Sequence, residues 1–238
     1  MATMHEAQPG GKIEAMSLVQ VFAGGCAEAL VARHSDLTLP SPAPDEIREA
    51  PEKSHLRRGY LARRGLARRA LARRLQCSAE AIAIGRETAG APLIVAPHCG
   101  LHLSISGRDD LAAVAFAEKP VGVDIEPVGA PFEHPLNVMH AAERDLLARL
   151  GENAHETFLK LWTAKEAYLK ALKTGFGREP SEIEIRFVRQ ADASGAMHPR
   201  GPDVRILDRG VEVPLACGFV QILGYRDRRI ALACLVLA

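Results

Sequence analysis

Apolar and polar positions alternate along this chain in runs that mark out its elements. LHLSIS, residues 101–106, has period two, the mark of a half-buried strand. GRDD turns the chain, and LAAVAFAEK returns as a second strand. VGVDIEPV, residues 121–128, runs apolar, breaks into two acids and ends at Pro127. Upstream, AEAIAIGR closes a turn and begins a strand, and Gly90-Ala91-Pro92 turns into Leu93-Ile94-Val95. Residues 79–118 therefore read as a small sheet. The last third repeats this grammar: SEIEIRFV (181–188) is a strand, 190–203 a Gly/Pro/Asp-rich loop, and 219–237 strand, turn, strand. GRDDLAAVAFA and YRDRRIALACL share Arg-Asp at the turn and an apolar return. That is a weak internal repeat suggesting two similar halves, with chance likeness of two apolar hairpins as the alternative.

Two stretches carry the helical period instead. Phe158 to Phe176 is predicted as a helix stopped by Gly175, with Phe158, Leu161, Trp162, Leu169 and Leu172 forming its apolar side. Lys165 and Glu166 sit inside that stretch. Glu166 follows Trp162 by four residues and shares its face, and Lys170 lies one turn further on. A buried carboxylate needs a cation, a metal or a proton; on a solvated face, the same residues make ordinary i,i+4 pairs. Residues 55–76 form a second, basic helix with arginines in adjacent pairs. Leu61, Leu71 and Leu75 fall in one sector, together with Arg57, Arg64 and Arg68. Arginines on an apolar side usually meet a carboxylate or phosphate. Of the rest, 16–33 mixes a short strand with a helix after Gly24-Gly25, 39–52 reads as a loop, and 1–15 as a mobile segment.

Composition changes this picture little. The chain has 238 residues and a formal net charge of +1, so there is no global pull toward nucleic acid or membrane. The arginine helix lacks the aromatic interleaving of a nucleic-acid reader, so a nucleic-acid binder ranks well behind. Five dispersed cysteines without a C-x-x-C pair indicate neither a disulfide framework nor a zinc site, and suit a reducing cytoplasm. No signal-peptide pattern or bilayer-spanning run is evident.

The candidate chemistry lies in acids. Asp124 and Glu126, two apart on a strand, face the same way. Side by side they repel and invite a divalent cation; all-oxygen ligands suit Mg²⁺. With Glu166, two lysines and inward arginines, they point to a phosphate-bearing substrate with a metal.

V-G-V-D-I-E followed about forty residues later by W-T-A-K-E-A-Y-L-K resembles the 4′-phosphopantetheinyl transferase superfamily, in particular its larger, surfactin-type members. The likeness covers roughly residues 45 to 177. It implies an α+β fold made of a pseudo-twofold pair of halves, each a small antiparallel sheet packed with helices, here 16–122 and 123–238, with the site between them. It implies transfer of phosphopantetheine from coenzyme A to a serine of an acyl, peptidyl or aryl carrier protein, by a cytoplasmic enzyme, monomer being the expected state. It implies Mg²⁺ on Asp124, Glu126 and Glu166, with Glu166, or a metal-bound water beside it, as base and Lys170 neutralising the leaving group. Coenzyme A would meet Arg48, Arg64, Arg86, Gly90, Pro92, His102, Ser104, Asp124, Lys165 and Lys170. Arg68 and Glu143 also occupy motif positions. Ala91, Ile105 and His102 stand where the family pattern has Lys, His and Asn. That departure motivates an alternative, a carrier-binding homologue with impaired coenzyme A binding.

Overall fold

The strands beside the paired acids make the framework. A computed structural model describes residues 19–23, 26–174, 177–188 and 204–238, with backbone alone described for 19–23. In chain order the elements are β1 (Val19–Ala23), β2 (Ala27–Arg33), α1 (Pro44–Glu49), α2 (Ser54–Leu75), β3 (Ala83–Arg86), β4 (Pro92–Ala96), β5 (His102–Ser106), β6 (Leu111–Ala117), β7 (Val121–Pro127), α3 (Ala141–Leu150), α4 (Ala154–Leu172), β8 (Ile183–Phe187), β9 (Val204–Asp208), β10 (Val211–Val213), β11 (Leu215–Tyr225) and β12 (Arg228–Leu237). Every pairing is antiparallel, in sheets ordered β1-β2-β6-β5, β11-β12-β7, β10-β9-β8 and β3-β4. The class is α+β, built from small antiparallel sheets and few helices.

Period two sets the layers. On β6, Leu111, Ala113 and Ala115 join one core; Ala112, Val114 and Phe116 join another. On β12, Ile230, Leu232 and Cys234 face the first core while Ala231, Ala233 and Leu235 face a third. The first core lies between the β6 sheet and the β7 sheet. α2 covers the outer face of the former through Leu66, Ala67, Ala70 and Leu71. α4 covers the outer face of the latter through Phe158, Leu161, Ala164 and Ala167. The order of layers is helix, sheet, sheet, helix.

β7 is the hinge of this arrangement. Val121, Val123 and Ile125 point into the first core, so Gly122, Asp124 and Glu126 point toward α4. Gly122 lets α4 come close: a Cβ there would stand 1.7 Å from Ala167 O and 2.7 Å from Ala171 N. The same close approach carries Asp124 beneath Lys170.

Three expectations change. The helix placed after Gly24-Gly25 is strand β2, whose AEALVAR pairs with β1 and β6 and is buried on both faces. Burial on both faces erases the alternation that identifies a strand. The loop 39–52 contains α1, with Pro44 at its first position and the Ala43 N–H donating to Glu46 Oε2 at 2.9 Å. α4 starts at Ala154 rather than Phe158 and ends at Leu172, with Lys173 capping it at φ +56°. Gly175, the 1–15 segment and the 190–203 loop lie outside the described residues.

Candidate active site

The acids meet around one lysine. Asp124 is buried, and its Oδ1 accepts from Ser106 Oγ (2.7 Å) and from Lys170 Nζ (2.6 Å). Lys170 Nζ also donates to Ser106 Oγ at 3.0 Å. Ser104, two residues earlier on β5, accepts the Val123 N–H at 3.0 Å and ties β5 to β7. Asp124 Oδ2 is buried with no hydrogen-bond partner, a costly state for a carboxylate oxygen and one a cation would relieve.

Glu126 and Glu166 flank this pair. Burial, then the Asp124 charge, raises the Glu126 pKa, against Arg108, whose Nε lies 3.6 Å from Glu126 Oε2, a hydrogen bond from Trp162, and Lys170. Burial raises that of Glu166 as well; Lys170 opposes the shift and Asp124 adds to it. Both shifts report burial first, with repulsion by the Asp124 carboxylate added to it. As arranged, the Lys170 ammonium pairs with Asp124 and Arg108 with Glu126. Among the described residues no three His, Cys, Asp or Glu side chains form a ready metal cage. The donor chemistry, carboxylate oxygens with one buried oxygen unpartnered, nevertheless fits a hard divalent cation.

Above the cluster opens a cavity of about 500 Å³. One wall comes from the β3–β4 turn and β5, with Gly90, Ala91, Pro92, Ser104 and Ile105; the other from α4 and the segment after it, with Trp162, Glu166, Lys170, Lys173 and Arg178. Gly90 turns the chain at φ +87°, a conformation natural to glycine. Lys173 crosses the cavity mouth to Glu87 at 2.5 Å. His102 lies beside that pair, its pKa lowered by burial and by Lys173 against the pull of Glu87. A smaller cavity of about 200 Å³ adjoins it, sharing Gly90, Pro92 and Ile105 and lined by Tyr60, Arg63, Arg64 and Arg86. Arg64 donates to Ile84 O and Gly85 O, both at 3.3 Å, and Arg86 to Gly90 O at 3.2 Å.

Thus Glu166, Lys170, Ser104, Gly90 and Pro92 line the larger cavity and Arg64 and Arg86 the smaller, with Asp124 joined to the larger through Lys170, Glu126 beside Asp124 and Trp162, and His102 next to the Lys173–Glu87 pair. Two expected members line neither cavity. Lys165 is fully buried on the far side of α4, 2.8 Å from Glu143 Oε2, and donates to Pro180 O and Ile183 O. Its ammonium is engaged there, and Lys165 is not among the residues lining the cavity; burial lowers its pKa, with Glu143 opposing. Arg48 is exposed on α1 and pairs with Asp45 at 2.6 Å, one turn away on the same helix. Arg68 is likewise structural, buried against Glu46 at 3.1 Å. Conversely, Arg63, Lys173 and Arg178 line the cleft without having been singled out in the sequence. Arg63 falls on the side of the wheel that looks polar, and the other two follow the helical pattern rather than sit in it.

The family model described as the 4′-phosphopantetheinyl transferase superfamily matches residues 120–216, a stretch that holds β7, α3 and α4. A 4′-phosphopantetheinyl transferase gsp from Aneurinibacillus migulanus is 32% identical over 77 residues, which is 32% of this chain and 32% of that protein. The alignment spans about a third of the relative's length.

Proposed function

We propose, from the match of residues 120–216 to the family model of the 4′-phosphopantetheinyl transferase superfamily, that this chain transfers 4′-phosphopantetheine from coenzyme A to a serine of an acyl, peptidyl or aryl carrier protein. The observation that carries the proposal is the Lys170–Asp124–Ser106 cluster with Glu126 and Glu166, beside a cavity lined by Lys170, Lys173 and Arg178 and adjoined by the smaller arginine-lined one. Phosphoryl transfer asks little covalent chemistry of a protein; it asks for positioning and charge neutralisation.

The carrier hydroxyl oxygen forms the new bond to the β-phosphorus of the pyrophosphate. The bond to the bridging oxygen breaks, and adenosine 3′,5′-bisphosphate leaves. Glu166 takes the hydroxyl proton, a role suited by a pKa that burial raises. Lys170 neutralises charge on the departing phosphate. Trp162, which hydrogen-bonds Glu126, walls the cavity on the α4 side. Asp124, with its unpartnered Oδ2, Glu126 and Glu166 would hold Mg²⁺, which when bound supplies charge neutralisation on the pyrophosphate oxygens.

The reading carries with it a cytoplasmic monomer that acts without nucleic acid or membrane. None of the five cysteines is in a disulfide, and no helix of the described residues is long and apolar enough to cross a bilayer. The two halves, 16–122 and 123–238, are the units proposed to frame the cleft.

The test is incubation with coenzyme A, Mg²⁺ and an apo-carrier protein, followed by intact-mass measurement. One phosphopantetheinyl group added to the carrier, lost on chelation of the metal, is the expected result. A carrier that binds yet gains no mass would instead establish the carrier-binding homologue, the reading that Ala91 and Ile105 in the cleft wall favour.

A further inference from the structure

Three of the five cysteines gather at the junction of the two central sheets. Cys26 stands at the turn into β2 and is exposed. Cys217 lies on β11 and is buried in the core between the sheets. Cys234 faces the same core from β12, opposite Phe219, which follows Cys217 by two residues. None of the three lines either active-site cavity.

Cys26 and Cys217 are in contact. Their thiols are hydrogen-bonded to each other, and the Cys217 sulfur also accepts the Cys26 N–H. Cys26 Sγ donates to Ala216 O at 3.9 Å, so it lies against the backbone of the residue next to Cys217. β11 is irregular at this point. Leu215 faces Leu237 and Cys217 faces Val236, which leaves Ala216 as an extra residue in the strand. A bulge of this kind bends a strand and re-aims its side chains.

The thiols differ in access and in acidity. Cys26 lines a cavity of about 500 Å³ together with Glu28, Arg74, Glu118, Lys119 and Ala216. The two acids and two bases balance, so a small zwitterionic molecule meets no net repulsion there. Cys217 does not line this cavity. Burial raises its thiol pKa, and the contact with Cys26 raises it further; burial pushes Cys234 up to about 12. The thiolate is the attacking form, so an outside reagent reacts at Cys26 before it reacts at the core thiols.

We propose that Cys26 and Cys217 are a thiol–disulfide exchange site that takes a low-molecular-weight disulfide, such as oxidised glutathione, and closes into an intramolecular disulfide. The Cys26 thiolate bonds to one sulfur of the reagent, the reagent's S–S bond breaks, and the first small thiol leaves with the proton that Cys26 gave up. Cys217 then loses its proton, bonds to the Cys26 sulfur and expels the second small thiol. Two protein thiols are oxidised, and one disulfide is reduced to two thiols. Closure is the slower step, because Cys217 is deprotonated inside the core. In a reducing compartment the pair rests as thiols, and it closes as the thiol pool becomes oxidised. The bond ties the turn before β2 to β11 and joins the two central sheets covalently. This chemistry uses no part of the transfer site.

The experiment incubates the folded chain with oxidised glutathione at mildly alkaline pH and maps its peptides over time under non-reducing conditions. A glutathione adduct on Cys26 appears first and decays into a cross-linked pair of peptides that hold Cys26 and Cys217; dithiothreitol returns both thiols. Cys217→Ala stops at the adduct on Cys26, Cys26→Ser leaves Cys217 unmodified, and Cys234→Ala closes as wild type does. The oxidised chain melts about 5 °C or more above the reduced one, because the closed loop restricts the unfolded state. No reaction at Cys26, an adduct that persists there in wild type, a cross-link from Cys26 to another cysteine, or a Tm unchanged or lowered by closure overturns the proposal. Should Cys217→Ala not fold, Cys26→Ser decides, since it alters an exposed residue at a turn: an adduct or cross-link at Cys217 without Cys26 overturns it.

Discussion

At the scale of single residues, the site turns on Asp124. It anchors Lys170 and Ser106 through one oxygen and keeps the other unpartnered. Asp124→Ala removes a proposed metal ligand and the counter-charge of Lys170 together, so transfer should fall by about 100-fold or more. Near-normal turnover at saturating coenzyme A and Mg²⁺ would refute its assignment. Glu166 makes a prediction of opposite sign for stability. Its pKa is raised in the folded state, so the folded chain binds its proton more tightly than the unfolded one. Stability is therefore lost as pH rises from the ordinary carboxylate value through the raised one. Glu166→Gln is neutral throughout: it should melt higher than wild type at pH 7, the gain vanishing below about pH 4 where wild type is protonated too. The same variant cannot accept the serine proton, so transfer should drop sharply. A variant that melts lower at pH 7 and still transfers would make Glu166 a structural partner of Lys170. The neighbourhood of these side chains was legible because it follows from counting: two residues along a strand, four along a helix. Arg63 and Lys165 were not legible, because a helical wheel gives directions without saying which neighbour lies in them.

At the scale of elements, the contact of α4 with β7 decides whether the site exists. Gly122 allows it, since any Cβ would overlap Ala167 O. Gly122→Ala should lift α4 from the strand, part Lys170 from Asp124, and lower stability by about 1–3 kcal/mol as overpacking does, with transfer falling further than stability. Full transfer by this variant would show that the close approach is not required. On its far side, α4 is fixed by the Lys165–Glu143 pair. Glu143 also accepts the N–H groups of His140 and Ile185, both at 2.8 Å, and Lys165 holds the carbonyls of Pro180 and Ile183 beside the cavity wall. Lys165→Met leaves a carboxylate buried without its cation and should cost about 3–5 kcal/mol in urea unfolding. Adding Glu143→Leu should recover only part, because two buried N–H groups then lose their acceptor. If Lys165→Met unfolds like wild type but fails to bind coenzyme A, the ammonium reaches the ligand after all. Strands that alternate polar and apolar residues, such as β5 and β8, were readable from that period, though the polar Ser104 and Ser106 of β5 are buried against β7 rather than wet. β2, buried on both sides, and α1, six residues inside a Pro/Asp/Glu run, left no such period.

At the scale of the whole molecule, two kinds of interaction meet at the cleft, and salt separates them. The strands of the two central sheets are held against each other by an apolar core of Ala, Val, Leu and Ile side chains. Ion pairs rim this junction: Arg33 with Asp227, Arg228 with Asp110 at 2.8 Å, Arg226 with Asp36 at 3.1 Å and Lys173 with Glu87 at 2.5 Å. They are at least partly exposed, and each such pair contributes only about 0.2–1 kcal/mol. The cleft is different. Arg63, Arg64, Arg86, Lys170, Lys173 and Arg178 line it, and a polyanionic donor would be drawn to their summed field. Raising NaCl from 0.1 to 1 M shortens the screening length from about 10 Å to about 3 Å. Stability rooted in apolar burial should hardly respond, so Tm should move by a few degrees at most, the equivalent of about 1 kcal/mol for a chain of this size. Coenzyme A binding should weaken by about tenfold or more over the same range, and dephospho-coenzyme A, with two charges fewer, should weaken less. Both quantities come from one titration series, melting curves with and without ligand at each salt concentration. A collapse of Tm with salt would mean that the rim pairs hold the two sheets together. A Kd indifferent to salt would mean that coenzyme A is not held by this ring of cations.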